Sequence, residues 1–126
     1  MGNLLFSVNG RIGRKTWWLT NLAMMVVGIV VMGILGTLFG MSMMVVDEVT
    51  GMPVFSFIGA LPMIAINIVF LWVSIALSVK RLHDNDMRGW WYLLVLVPLL
   101  GPLALLIICG FIKGDEDANR FGEPVV

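Results

Sequence analysis

The chain has 126 residues, 60% of them hydrophobic and 13% charged, and its eight Lys/Arg balance its eight Asp/Glu. Soluble domains carry roughly 25% charged residues, and so apolar a surface could not be kept in water, so the composition specifies an integral membrane protein. Zero net charge speaks against nucleic acid as a partner, the single Cys109 cannot form an internal disulfide, and the single His83 excludes a multi-histidine metal site.

Residues 1–16 read as a basic interfacial segment. Leu4 to Val8 form a short apolar piece, Asn9-Gly10 reads as a turn, and Arg11, Arg14 and Lys15 follow. Three charge-free apolar segments come next, at about 17–40, 57–79 and 90–112. Crossing roughly 30 Å of hydrocarbon takes about 20 such residues in a helix, whereas strands of a membrane barrel would be about 10 residues with alternating polarity. The first segment is longer than the roughly 7–15 apolar residues of a cleaved signal core and reads as an uncleaved anchor. The expected fold is an all-α integral membrane protein with three transmembrane helices. It forms a single multi-pass domain over 1–126, with 113–126 as a polar tail. Pro98-Leu99-Leu100-Gly101-Pro102 interrupts the third segment. Proline removes a helical donor and crowds the preceding turn, so a kinked spanning helix is expected. A re-entrant hairpin, returning the tail to the cytoplasm, is the alternative.

Orientation follows from the basic residues. Arg11, Arg14 and Lys15 precede the first segment, and Lys80, Arg81 and Arg88 lie in the second loop, while the first loop carries Asp47 and Glu48 and no Lys or Arg. The N-terminus and the 80–89 loop are therefore expected in the cytoplasm.

The stretch Arg81-Leu82-His83-Asp84 followed by Trp90-Trp91 is the most distinctive part of the chain, with Gly10-Arg11 and Arg14 ahead of Trp17-Trp18 and Asn119-Arg120-Phe121-Gly122 in the tail. This set resembles the YhaH-like family of bacterial inner-membrane proteins, domain of unknown function 805, over Gly10 to Pro124. Lys80 and Asp117 depart from the arginine and glycine usual in that pattern. The resemblance implies a small multi-pass protein of the bacterial inner membrane and carries no activity with it.

In a helix continued past residue 79, Asp84 could pair with Arg81, Lys80 or Arg88 on one face. Asp86 could cap the third helix. The expected site is an interfacial cluster for anionic lipid or a partner protein, made of Arg11, Arg14, Lys15, Lys80, Arg81, His83, Asp84, Arg88, Trp90 and Trp91. Arg11 and Arg14 would be free for phosphates, and the Trp17-Trp18 and Trp90-Trp91 pairs would lie at headgroup level. Asn67, Ser74 and Ser78 share a face inside the second segment, where an amide needs a partner on another helix or a water-filled cavity. Gly33, Gly36 and Gly40 form a small-residue stripe suited to close helix packing. The leading reading is a structural or interaction subunit that binds membrane lipids, another membrane protein or a second copy of itself. An oligomeric small channel or transporter is the alternative, and a membrane enzyme comes third. No cofactor or metal is expected.

Overall fold

The computed structural model describes residues 2–125. Its helices are α1 (Gly2–Leu5), α2 (Arg14–Phe39), α3 (Phe57–Asp84) and α4 (Leu100–Gly110), with strands β1 (Met44–Val46) and β2 (Pro53–Phe55) and 3-10 segments at Gly40–Met43 and Gly89–Leu96. α2 has 26 residues and α3 has 28. At about 1.5 Å per residue, each is longer than the roughly 30 Å hydrocarbon layer. Two compact units are distinguished, one of residues 23–71 and one of the chain ends, up to Leu22 and from Trp72 onward.

In the 23–71 unit, the ring of Phe70 lies against Gly28. The Ser42 carbonyl comes so close to Gly59 that any side chain there would collide with it. Ser56 caps α3, its Oγ accepting the Gly59 N–H at 3.1 Å, which satisfies one of the helix's orphan donors. The 41–56 stretch, expected as a plain loop, contains an antiparallel hairpin with Val45 opposite Val54. Asp47 Oδ1 closes its turn by accepting the N–H groups of Val49 at 2.9 Å and Thr50 at 2.7 Å. These bonds favour the charged carboxylate and lower the Asp47 pKa.

The expected intramembrane contacts take a different form. Asn67 donates to the Met63 carbonyl of its own helix at 2.8 Å, with the Met32 sulfur at 3.8 Å. Among the described residues, apart from the adjacent residues and the helix's own backbone, no atom lies within 4 Å of where a Cβ on Gly33, Gly36 or Gly40 would sit. The glycine stripe therefore packs against nothing within its unit.

In the other unit, the end of α3 is the core. Val73, Ala76, Leu77, Lys80, Arg81 and Asp84 are all buried, a spacing that puts them on one helix face. Ser78 is buried on the same stretch, and Ser74 is half-buried. The N-terminal segment lies along this helix. Lys80 Nζ donates to the Asn3 and Leu4 carbonyls, Trp72 Nε1 to the Phe6 carbonyl at 3.0 Å, and His83 Nδ1 to the Gly10 carbonyl at 3.1 Å. Trp72 and Lys80 are about 12 Å apart along the axis, so the segment descends to Phe6 and returns by Gly10.

The third apolar segment is not one kinked helix. The 3-10 arm Gly89–Leu96 and α4 are separated by Val97-Pro98-Leu99, and Leu99 has φ +64°. The arms fold back on each other, because buried Gly101 meets the Leu94 carbonyl where a Cβ would be. Their lengths match: eight residues at about 2.0 Å and eleven at about 1.5 Å each advance roughly 16 Å. A helix continued through Pro98 and Pro102 would lose two backbone hydrogen bonds. In the hairpin, Pro102 falls in the first turn of α4, where its missing N–H costs nothing.

Candidate functional site

The hairpin's return brings the end of α4 to the start of α2 and the end of α3. The last carbonyls of a helix lack partners within it, and here side chains supply them. Arg81 Nε donates to the Cys109 carbonyl at 2.8 Å, and its Nη2 donates to the Ile112 carbonyl. Trp18 Nε1 donates to the Gly110 carbonyl at 3.0 Å, and Arg14 Nη1 to the Phe111 carbonyl at 3.1 Å. Cationic side chains at this end also oppose the negative pole of the helix dipole.

At the centre, Asp84 accepts two guanidiniums. Arg11 approaches Oδ1, with Nε at 3.0 Å and Nη2 at 2.9 Å, and Arg81 Nη1 donates to Oδ2. All three side chains are buried. Arg11 donates further to the carbonyls of Asp115 at 2.7 Å, Asp117 at 3.0 Å and Gly122 at 3.1 Å. Two cations face one carboxylate, and the convergent carbonyl dipoles of α4 and the tail offset the surplus charge. Burial lowers the Arg81 pKa against the opposing pull of Asp84, from a range so high that the group stays charged. Burial likewise lowers the Lys80 pKa, and this ammonium has carbonyl partners rather than a carboxylate.

His83 lies beside this cluster. A carbonyl oxygen only accepts, so the bond to Gly10 places a proton on Nδ1. Phe121 stacks on the imidazole at 3.8 Å between centroids and 3° between planes, and Asn119 Nδ2 donates to the His83 carbonyl at 2.9 Å. Burial holds the His83 pKa below its ordinary value, against the opposing hydrogen bond to Gly10. The Asn119-Arg120-Phe121-Gly122 tail thus closes over the end of α3, where Arg120 also pairs with Asp86 at 3.1 Å.

Arg11, Arg81 and Asp84 therefore form a buried ion triad rather than a headgroup surface, and Arg11 is not free for phosphates. Lys80 and Arg88 do not pair with Asp84, and the 3-10 arm starts after Arg88 rather than at an Asp86 cap. Trp17 is buried, and among the described residues its Nε1 is the buried side-chain polar atom without a hydrogen-bond partner. Arg14, Lys15, Arg88, Trp18, Trp90 and Trp91 remain exposed.

Three glycines that sequence reasoning passed over are structural requirements here. A methyl on Gly114 would occupy the place of the Asp84 carboxylate, one on Gly110 would sit 2.9 Å from the Trp18 ring, and one on Gly101 would strike the Leu94 carbonyl. Gly101 lies in the proline-flanked break and Gly114 in the charged tail, but the atoms that exclude a side chain at each come from a different element of the chain.

The family described as "Protein of unknown function (DUF805)" matches residues 5–123. The chain is 31% identical over 116 residues to the Escherichia coli K12 inner membrane protein YhaI, covering 91% of this chain and 82% of that protein. It is 34% identical over 115 residues to inner membrane protein YhaH of the same strain, covering 90% and 82%. No solved structure matches the chain.

Proposed function

Since this chain belongs to the DUF805 family, whose relatives are inner-membrane proteins, we propose that it is a non-catalytic interaction subunit that holds anionic lipid at the cytoplasmic face. In this reading α2 and α3 cross the bilayer, and the hairpin of the 3-10 arm and α4 enters and leaves on one side. Charge placement supports it. If α2 and α3 each cross once and the hairpin returns the tail, the chain order puts all eight Lys/Arg (Arg11, Arg14, Lys15, Lys80, Arg81, Arg88, Lys113 and Arg120) on one side of the bilayer and Asp47 and Glu48 on the other. A positive-inside distribution of this kind supports reading that face as the cytoplasmic one.

The observation that carries the lipid reading is the division among the cations. Arg11 and Arg81 are buried in the triad, whereas Arg14, Lys15 and Arg88 are exposed near exposed Trp18 and Trp90. Each basic side chain near an anionic leaflet contributes roughly 1 kcal/mol, screened by salt. A catalytic role is disfavoured because Asp84 is saturated by two guanidiniums and His83 Nδ1 is committed to a carbonyl.

Native mass spectrometry of the purified protein with phosphatidylglycerol or phosphatidylethanolamine tests this reading. The wild type should retain phosphatidylglycerol preferentially, less so in high salt, and Arg14→Gln/Lys15→Gln should weaken the preference. Equal retention of the two lipids by the wild type would overturn it.

A further inference from the structure

We infer that the outer face of the 3-10 arm is a binding groove for one acyl chain of an anionic phospholipid, with Arg88 holding its phosphate. The inference rests on the lipid reading above and assigns it a specific seat. The groove is open, has a volume of about 430 Å³ and is lined by Arg88, Trp90, Trp91, Leu93, Leu94 and Val97. That volume lies within the roughly 300–1,000 Å³ of small-molecule sites. Except for Arg88 its walls are apolar or aromatic, and Trp90 and Trp91 are 77% and 51% exposed.

Charge identifies the occupant. Lipid tails are as apolar as leucine, so an apolar wall in a bilayer does not by itself select one neighbour. Selection has to come from the polar end. Arg88 is exposed, precedes the arm directly, and enters none of the ion pairs among the described residues. The guanidinium fork grips a phosphate through two parallel N–H groups. The neighbouring indoles provide the apolar bodies and N–H donors that suit headgroup depth. A zwitterionic headgroup would bring an ammonium toward the same guanidinium, whereas phosphatidylglycerol brings none. A chain running from Arg88 toward Val97 follows the arm's roughly 16 Å descent.

The test is competitive retention of phosphatidylglycerol and phosphatidylethanolamine by the full-length protein in detergent, read by native mass spectrometry together with oligomeric mass. Arg88→Gln should lower the phosphatidylglycerol preference about fivefold, the equivalent of about 1 kcal/mol for a basic residue beside anionic lipid. Leu93→Trp, which fills the groove from a half-exposed position, should lower retention of both lipids. Val97→Phe should repeat that result if Leu93→Trp lowers thermal stability. If Arg14→Gln/Lys15→Gln removes the preference while Arg88→Gln, Leu93→Trp and Val97→Phe leave it intact, the groove assignment is wrong and the lipid reading stands. If the wild type shows no preference, both fail. If the groove variants change oligomeric mass and leave lipid untouched, the face is a protein interface and the assignment is overturned.

Discussion

Asp84 Oδ1 lies 2.9 Å from Arg11 Nη2, so a carboxylate at the end of α3 grips a guanidinium 73 residues earlier in the chain. Arg81, one turn before Asp84, holds the other carboxylate oxygen and the end of α4. The triad therefore ties together the starting segment, the end of α3 and the return of the hairpin. Breaking a buried pair leaves a charge without compensation, at a cost of roughly 3–5 kcal/mol. Asp84→Asn should lower stability by about that much, measured by unfolding in micelles. Glu116→Gln, which breaks the exposed Lys113–Glu116 pair, should leave the melting temperature unchanged. Replacing Arg11, Arg81 and Asp84 together by apolar residues should not restore stability, because the carbonyls of Cys109, Ile112 and Asp115 would lose donors.

The glycines provide a second test. Gly114→Ala should approach Asp84→Asn in its effect, since the methyl displaces the carboxylate from its partners. Gly33→Ala meets open space and should be neutral or stabilising by up to about 1 kcal/mol, the usual difference between Ala and Gly inside a helix. Equal effects at both positions would contradict the packing described here.

Topology can be read with single cysteines on a Cys109→Ser background. A membrane-impermeant thiol reagent applied to intact cells should label Thr50→Cys only. Asn9→Cys, Asn85→Cys and Ala118→Cys should react only after lysis. Labelling of Ala118→Cys in intact cells would mean that the third apolar segment crosses the membrane.

His83 gives a pH dependence of definite sign. Its folded pKa lies below the unfolded value near 6.5, so between those two values the unfolded chain binds more protons. Stability is then fully present above about pH 6.5 and is lost as pH falls through the folded pKa. The melting temperature in micelles, where Phe121 stacks on His83 in the folded chain, should be lower at pH 5.5 than at pH 7.5. His83→Asn, which keeps a donor toward the Gly10 carbonyl but does not titrate, should remove this step. Asp47 and Glu116 have lowered pKa values, so their contribution is lost only below the ordinary carboxylate range near 4.

Composition and hydropathy alone determined the membrane class and the two long helices, and the motifs Arg81-Leu82-His83-Asp84 and Asn119-Arg120-Phe121-Gly122 carried the resemblance to the family. These are properties of local composition and spacing, and a helix crossing hydrocarbon must be long and apolar whatever packs beside it. Tertiary structure decided what the charged residues do. Arg11 and Arg14 are three positions apart and look equivalent in sequence, yet one is buried on Asp84 and the other is exposed. The difference arises because the Gly10 turn carries Arg11 onto α3, whereas Arg14 begins α2. The hairpin was equally hidden. Pro98 and Pro102 announce a break, but a break permits either a kink or a reversal. The choice rests on contacts distant in sequence: Gly101 against Leu94, and the carbonyls of Cys109, Gly110 and Phe111 meeting Arg81, Trp18 and Arg14.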